Sequence, residues 1–191
     1  MRDILKLGGI LMVYALIAGS ALAFVNGKTL PLITENKTLE ETRARSEVLP
    51  GMDGGFELRN ADSPFPYWVG YRDPGKTETG GYIFIARGSG YSSFIESMVG
   101  VDLNGAIVAV RILSQQETPG LGAKVQEVRR GETVPWFPRQ FAGKTLSDAI
   151  KVTKDGGDID TITGATISSR TVTDSINRGL RELMKTIGGG S

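Results

Sequence analysis

The chain opens on a long uncharged stretch, LGGILMVYALIAGSALAFVNG, over residues 7–27. At a rise of 1.5 Å per residue, a helix of about 21 residues spans the hydrocarbon of a bilayer, so the pattern predicts one transmembrane helix. Arg2 and Lys6 lie in the preceding segment 1–6 and favour a cytoplasmic N-terminus. The sequence therefore predicts a single-pass protein of the inner membrane with an extracytoplasmic body. The alternative is a cleaved signal peptide, for which Ala21-Leu22-Ala23 offers an A-x-A site.

The next segment, 28–50, changes to mixed charge. Residues 34–49 carry acidic and basic side chains without Gly or Pro, and the run stops at Pro50-Gly51. This pattern predicts a juxtamembrane helix, or a stalk with no role beyond spacing. From 51 to 76 the chain is rich in Gly, Pro, Asp and aromatic residues, which predicts a loop or irregular cover with weak strands, including 67–71.

Three apolar, β-branched runs at 81–87, 97–103 and 106–113 predict strands in the middle of the chain. Asn104-Gly105 separates the last two, and this dipeptide is typical of a tight hairpin in which both turn residues have positive φ. Because a hairpin joins antiparallel strands, the sequence predicts a mainly antiparallel sheet.

The last part of the chain predicts helices and one short strand. Residues 146–152 are a short helix candidate, and 158–162 alternate as a strand does. A longer amphipathic helix begins near Ser168, with apolar side chains at spacings of three and four residues on Val172, Ile176, Leu180, Leu183, Met184 and Ile187. Clustered strands favour an α+β domain over 51–187, a mainly antiparallel sheet packed with helices. The final residues, 188–191, are interpreted as a flexible tail joined to a remnant of an expression tag.

Composition and charge exclude several classes of chemistry. Lysine and arginine total 22 against 21 acidic residues among 191, so no net basic field exists to hold a nucleic acid. Cysteine and histidine are both absent, which removes disulfides, iron–sulfur clusters, histidine-ligated haem or zinc, and nucleophile–histidine pairs. We predict no catalytic side chain and no metal ligand. The 26 glycines indicate tight turns or backbone close to a ligand.

The first candidate site is DTITGATISSR, residues 160–170, ahead of the last helix. Gly164 and Ala165 let a bulky group approach the backbone, and five hydroxyls lie nearby, on Thr161, Thr163, Thr166, Ser168 and Ser169. The unpaired N–H groups and dipole of a helix N-terminus attract anions, and Arg170 adds a cation, so a phosphate fits. The alternative is an ordinary helix cap made by one of the two serines.

The second candidate site is QQETPGLGAK, residues 115–124, directly after the hairpin. Pro119-Gly120 followed by Gly122 predicts a sharp, exposed turn, and a plain Pro-Gly loop is the alternative. A turn that exposes backbone N–H groups and keeps side chains small can lie over a flat ring. The hydroxyl-rich segment would then hold the phosphate of the same ligand.

Four segments carry a resemblance to a known family. DTITGATISS matches the pattern Asp-x-x-Ser/Thr-Gly-Ala-Thr, which is the site of covalent flavin attachment in the family of FMN-binding domains. GYSSFIESMVGVD with its Asn-Gly hairpin, ETPGLGAK and WFPRQFAGK occur in the same order as in that family. The resemblance covers about residues 80–187. Within this family the chain is most similar to the G subunits of Rnf electron-transport complexes, and less to the larger C subunits of sodium-pumping NADH:quinone oxidoreductase.

The resemblance implies that the hydroxyl of Thr166 carries FMN as a phosphoester, installed by a separate flavin transferase that uses FAD and magnesium. The implied flavin contacts are Thr163, Gly164, Ala165, Ser168 and Ser169 in the first segment, and Glu117, Thr118, Gly120, Leu121 and Gly122 in the second. Many relatives have a histidine shortly before ETPGLG, where this chain has Gln115 and Gln116. An imidazole therefore does not tune the flavin here.

The implied function is that of a membrane-anchored electron carrier, embedded in lipid, in an Rnf-type ferredoxin:NAD oxidoreductase coupled to sodium-ion or proton translocation. Its partners would be the other subunits of that complex. No G-x-G-x-x-G follows a predicted strand and no phosphate-binding P-loop is present, so we predict no direct NAD binding. One alternative is a flavin-bearing sensor or assembly module of another membrane complex. Another is an extracytoplasmic binding domain without a covalent group.

Overall fold

The computed structural model describes residues 2–188. Its first element is an unbroken helix, α1 (Arg2–Val48), which contains Pro31. The predicted helix at 7–27 and the predicted segment at 34–49 are both parts of it. Within residues 2–188, α1 is the helix that is long and apolar enough to cross a bilayer. The chain divides after Glu41 into two units, and the second holds every element that follows α1.

The second unit is built on one antiparallel sheet of five strands. In spatial order, which is also chain order, these are β1 (Gly55–Arg59), β2 (Tyr67–Tyr71), β3 (Thr79–Ser89), β4 (Phe94–Val101) and β5 (Ile107–Ser114). Each strand pairs with the next along the chain. The α+β class and the antiparallel sheet predicted from the sequence are confirmed, with the three middle runs as β3, β4 and β5.

The region 51–76 is more regular than its composition indicates. Tyr67–Tyr71 is the strand β2, as predicted, but β1 was not predicted and pairs with β2 in the register Glu57↔Val69. β1 is an edge strand with little apolar alternation, and Glu57 forms an ion pair with Arg59 at 3.1 Å on it. Its strand character comes from the hydrogen bonds to β2, which a local pattern does not carry.

The turn between β4 and β5 is longer than the two-residue turn that Asn104-Gly105 predicts. Gly105 has a φ of 82°, but Asn104 is not among the residues with positive φ, so the prediction of two such turn residues is wrong. The Asp102 carboxylate accepts hydrogen bonds from the N–H groups of Asn104 at 2.8 Å and Ala106 at 2.9 Å. This side chain closes the turn over 102–106 and leaves only one residue in the left-handed region.

Apolar side chains on the two faces of the sheet pack against different helices. A short helix, α2 (Trp136–Arg139), follows the sheet in the chain. The last helix, α3 (Thr166–Gly188), buries Val172, Ile176, Leu180 and Leu183 against the face that carries Phe84 and Val99. The other face carries Ile83 and Met98, which pack with Ala44, Val48 and Leu49 at the end of α1. Burial is worth about 1.5–3 kcal/mol for each large aliphatic side chain, so α3 is held firmly on the sheet. The amphipathic helix predicted from the sequence is confirmed.

The chain between the sheet and α3 is irregular, and two predicted elements are wrong there. Residues 146–152 form a turn instead of a helix, because the Asp148 carboxylate accepts from both the N–H of Thr145 at 2.7 Å and its hydroxyl at 2.9 Å. The predicted strand 158–162 is reduced to one parallel bridge, Ile159 with Val152. Of the predicted tail 188–191, Gly188 ends α3 and 189–191 lie outside the described residues.

Candidate functional site

The two candidate segments meet in one cleft of about 490 Å³ at the start of α3. Eight of the predicted contacts line it, namely Glu117, Thr118, Leu121, Gly122, Gly164, Ala165, Thr166 and Ser168. Three predicted contacts lie near it without lining it, namely Thr163 and Gly120, which are exposed, and Ser169, which is buried. The lining also includes three residues that the sequence did not single out, Tyr91, Lys154 and Ile167.

The loop before α3 turns sharply so that the helix begins inside the cleft. Gly164 has a φ of 79°, and a Cβ at this position would lie 3.0 Å from Leu121 Cδ2 of the opposite segment. The N–H of Ala165 then donates to the carbonyl of Ile162 at 2.9 Å, and α3 starts at Thr166. Across residues 2–188, the N–H groups of Thr166, Ile167 and Ser168 find no protein acceptor. These groups therefore remain available to an anionic ligand.

The two serines of the motif do not cap the helix, so the capping alternative is wrong. Ser169 Oγ accepts from the N–H of Ile162 and donates to the carbonyl of Ala165, each at 3.0 Å, which ties the loop to the first turn. Ser168 Oγ donates to Glu117 Oε2 at 2.6 Å. Because both hydroxyls point away from the first N–H groups, the anion-binding end of α3 stays open.

Glu117 joins three segments around the cleft through its carboxylate. Besides the bond from Ser168, Oε1 accepts from the N–H groups of Ser92 and Ser93 at 2.9 Å, and Oε2 accepts from the N–H of Tyr91 at 3.1 Å. The side chain is 5% exposed, and this burial opposes ionisation. The hydrogen bonds from Ser168, Ser92, Ser93 and Tyr91 outweigh the burial and lower the pKa of Glu117 below its ordinary value. Glu117 is thus an ionised clamp that fixes both walls of the cleft.

Two glycines of the second segment meet different needs. Gly120 has a φ of 76° and open space where a Cβ would stand. Gly122 approaches the clamp closely, since a Cβ there would lie 2.6 Å from Ser168 Oγ and 2.7 Å from Glu117 Oε2. A side chain at Gly122 would push against the buried clamp, whereas one at Gly120 would strain only the backbone.

The cation beside Thr166 is Lys154, and not Arg170 as the sequence indicated. Arg170 is held by Asp155 in a two-bond ion pair of 2.6 and 2.8 Å, and it is not among the residues that line the cleft. The hydrogen bond from Arg170 also lowers the pKa of the Asp155 carboxyl. Lys154 Nζ donates to Thr166 Oγ1 at 3.0 Å. No sequence periodicity indicates this lysine, because it lies in a short 3₁₀ turn, Thr153–Asp155, whose position depends on tertiary contacts.

Three apolar side chains stand out from the lining of the cleft. Tyr91 is 74% exposed, Ile167 50% and Leu121 44%, although each is large enough to favour burial. They line the same cleft as Thr166, at the start of α3. The site therefore offers a charged end for a phosphate and apolar surfaces for a flat group.

Comparison with known proteins identifies the class first. The FMN-binding domain family matches residues 90–181, a range that contains both candidate segments and the whole lining of the cleft. The fold and the site thus define an FMN-binding domain.

The relatives then give the particular family. The chain is 35% identical to the G subunit of the ion-translocating oxidoreductase complex of Shewanella amazonensis, over 94% of this chain and 87% of that one. It is 33% identical to the protein of the same name in Escherichia coli K12, over 93% and 90% of the two chains. Against the G subunit of the Na⁺-translocating ferredoxin:NAD⁺ oxidoreductase complex of Acetobacterium woodii the identity is 32%, over 94% and 91%. The chain belongs to the family of these G subunits, which confirms the resemblance seen in the sequence.

Among solved structures, the crystal structure of the C subunit of the Na⁺-translocating NADH-quinone reductase of Parabacteroides distasonis is 27% identical with a TM-score of 0.49. The superposed part covers 63% of this chain and 61% of that one.

Proposed function

We propose that this protein is the membrane-anchored, FMN-carrying electron-transfer subunit of an Rnf-type ferredoxin:NAD oxidoreductase that translocates sodium ions or protons. The observation that carries the proposal is the Thr166 hydroxyl, which lines the cleft of an FMN-binding domain beside open N–H groups and an ammonium group. The G subunits it resembles are named as parts of ion-translocating oxidoreductases, one of them a Na⁺-translocating ferredoxin:NAD⁺ oxidoreductase. A carrier with a bound flavin fits such a reaction.

The attachment is a phosphoester between FMN and Thr166 Oγ1. A phosphate at this position would meet the unpaired N–H groups at the start of α3, which suit an anion both as donors and through the helix dipole. Lys154 supplies one positive charge at the same atom. The residues present therefore fit the phosphate end of FMN, and the ester leaves the ring free.

The ring would lie against the apolar part of the cleft. Leu121 and Ile167 offer aliphatic surfaces and Tyr91 an aromatic one, while Gly122 and Gly164 keep the backbone accessible. Bound FMN supplies a ring that accepts and releases electrons. The protein's own contribution is to orient that ring, to fix the walls through Glu117 and to leave an open side for electron exchange.

The partners follow from the chemistry that the chain lacks. Its sequence contains neither a dinucleotide fingerprint nor a P-loop, so NAD and ferredoxin bind to other subunits and electrons pass between those subunits and this one. A separate flavin transferase installs the FMN. Lipid surrounds the apolar part of α1, which supplies the anchor.

The covalent cofactor is tested on the native chain. We expect yellow fluorescence to remain with the polypeptide through denaturing electrophoresis, because a phosphoester survives unfolding whereas a non-covalent flavin is released. Mass spectrometry of proteolytic peptides should place a mass increase of one FMN minus one water on the fragment that contains residues 160–170. Fluorescence that runs at the dye front would contradict covalent attachment.

The orientation is proposed from the positive charges that precede the apolar segment. Arg2 and Lys6 favour the cytoplasmic side, which places the FMN domain outside the cytoplasm. Protease added to intact spheroplasts should therefore cut the segment 34–49 as readily as it does in permeabilised cells. Cleavage only after permeabilisation would reverse the orientation.

A further inference from the structure

Lys154 is an ammonium group that lacks a carboxylate partner beside the proposed attachment atom. It lies in a short 3₁₀ turn, Thr153–Asp155, and its Nζ donates to Thr166 Oγ1 at 3.0 Å. No carboxylate among residues 2–188 forms an ion pair with it, since the neighbouring Asp155 is taken by Arg170. Of the two charged residues in this turn, Asp155 is therefore paired with Arg170, whereas Lys154 lines the cleft.

A lysine at this place does little for stability. A hydrogen bond between an exposed ammonium and a neutral hydroxyl competes with water and contributes little to folding. The same ammonium has a much larger effect once Oγ1 bears negative charge or a phosphate stands next to it. The arrangement therefore suits a charged state of Thr166 better than the free hydroxyl.

We propose that Lys154 prepares Thr166 to accept the flavin phosphate and then holds the resulting phosphodiester. This inference rests on the proposed attachment at Thr166. Thr166 is β-branched and stands at the first position of α3, so its side chain has few rotamers, and the bond from Lys154 selects the one that presents Oγ1 to the cleft.

The transfer step balances with a flavin dinucleotide as donor. Thr166 Oγ1 forms a bond to the phosphorus of the FMN half, the pyrophosphate P–O bond breaks, and adenosine monophosphate leaves. The hydroxyl proton passes to a base supplied by the transferase, and no electrons are exchanged. Lys154 keeps its protons throughout and donates to one lone pair of Oγ1, which leaves the other for attack and stabilises the negative charge that develops there.

After transfer the same ammonium faces a permanent negative charge. Oγ1 becomes an ester oxygen of a phosphodiester, and the two unesterified oxygens on the same phosphorus carry the negative charge. Lys154 on one side and the open N–H groups of α3 on the other then fix the phosphate from two directions. The flavin is tethered at a defined orientation as a result.

The test compares loading rates of full-length chains in detergent micelles, purified from cells without a flavin transferase. Transferase, FAD and Mg²⁺ are added, and covalent fluorescence is followed over time on denaturing gels. Lys154→Met should slow the initial rate by about tenfold to a hundredfold, the loss expected for one hydrogen bond to a charged group. Lys154→Arg should recover most of that rate because it keeps the charge.

Lys151→Met is the matched control, since this exposed lysine lies on the same stretch and makes no side-chain hydrogen bond within residues 2–188. It should load at the rate of the unmodified chain. In fully loaded samples, the ³¹P resonance of the phosphodiester should move in Lys154→Met and stay in place in Lys151→Met. An unchanged loading rate in Lys154→Met, or equal slowing in both variants, would overturn the role of Lys154.

Failure of this inference is distinct from failure of the attachment site. A Thr166→Ala chain without covalent flavin, combined with normal loading of Lys154→Met, removes only the role of Lys154. Covalent flavin that persists in Thr166→Ala removes the attachment site and the inference together. Thermal unfolding by circular dichroism shows that each variant is folded, which is expected because Lys154 is exposed.

Discussion

Thr166→Ala should abolish covalent flavin completely while leaving the domain folded. The substitution removes Oγ1, the atom proposed to bond to phosphorus, and no other atom of the side chain can form that ester. Alanine suits the first turn of a helix at least as well as threonine, so we expect the free energy of unfolding to change by less than about 1 kcal/mol. Fluorescence on denaturing gels and the intact mass measure the loss, and circular dichroism measures the fold.

Thr163→Ala is the control for that result. Thr163 is three residues earlier in the same motif, exposed and outside the lining of the cleft, yet it carries the same hydroxyl. It should keep full covalent loading. If the two variants load equally, the hydroxyl that carries FMN is another one, and Thr161 is the next to test.

Glu117→Gln should destabilise the domain by about 2–3 kcal/mol near neutral pH. The buried carboxylate accepts from Ser168, Ser92, Ser93 and Tyr91, and an amide nitrogen in place of Oε2 would face the N–H of Tyr91, donor against donor. Since the clamp fixes both walls of the cleft, flavin loading should fall as well. Chemical unfolding in detergent micelles measures the first effect and denaturing gels the second.

The effect of Glu117→Gln should depend on pH in a defined direction. Folding lowers the pKa of Glu117 below its ordinary value of 4.5, so the charged clamp stabilises the protein above that pH and loses its effect as the pH falls through the lower folded value. The difference in unfolding free energy between the two chains should therefore stay constant from about pH 8 to about pH 5.5 and shrink as the pH falls further, through 4.5 and below. Glutamine does not titrate, so the variant lacks this contribution.

Glu127→Gln serves as the matched control. Glu127 is exposed, and its carboxylate makes no hydrogen bond within residues 2–188. Its replacement should change stability by less than about 0.5 kcal/mol at any of these pH values. A Glu117→Gln chain as stable as this control would show that the clamp contributes nothing.

The sequence by itself determined the elements whose signals are local. An uncharged run long enough to span a bilayer predicted the first part of α1. Apolar residues spaced three and four positions apart predicted α3, with Val172 and Leu180 on its buried face. The β-branched runs produced β3, β4 and β5. The residues of the motif around Gly164 left five hydroxyls as candidates, and the resemblance to the FMN-binding domains selected Thr166 among them.

The tertiary structure decided everything that depends on partners far apart in the chain. Glu117 and Ser168 are 51 positions apart, so their bond exists only because the sheet and α3 bring the two segments together. β1 is a strand through pairing with β2, and the course of 146–162 follows from turns closed by Asp148 and Gly156. The positive charge beside Thr166 also depends on tertiary contacts. Asp155 pairs with Arg170, and Lys154 is the residue that donates to Thr166. The spacing of apolar residues along the chain indicates which side chains of a helix or strand are buried. Hydrogen bonds and ion pairs between distant residues form only when the chain folds.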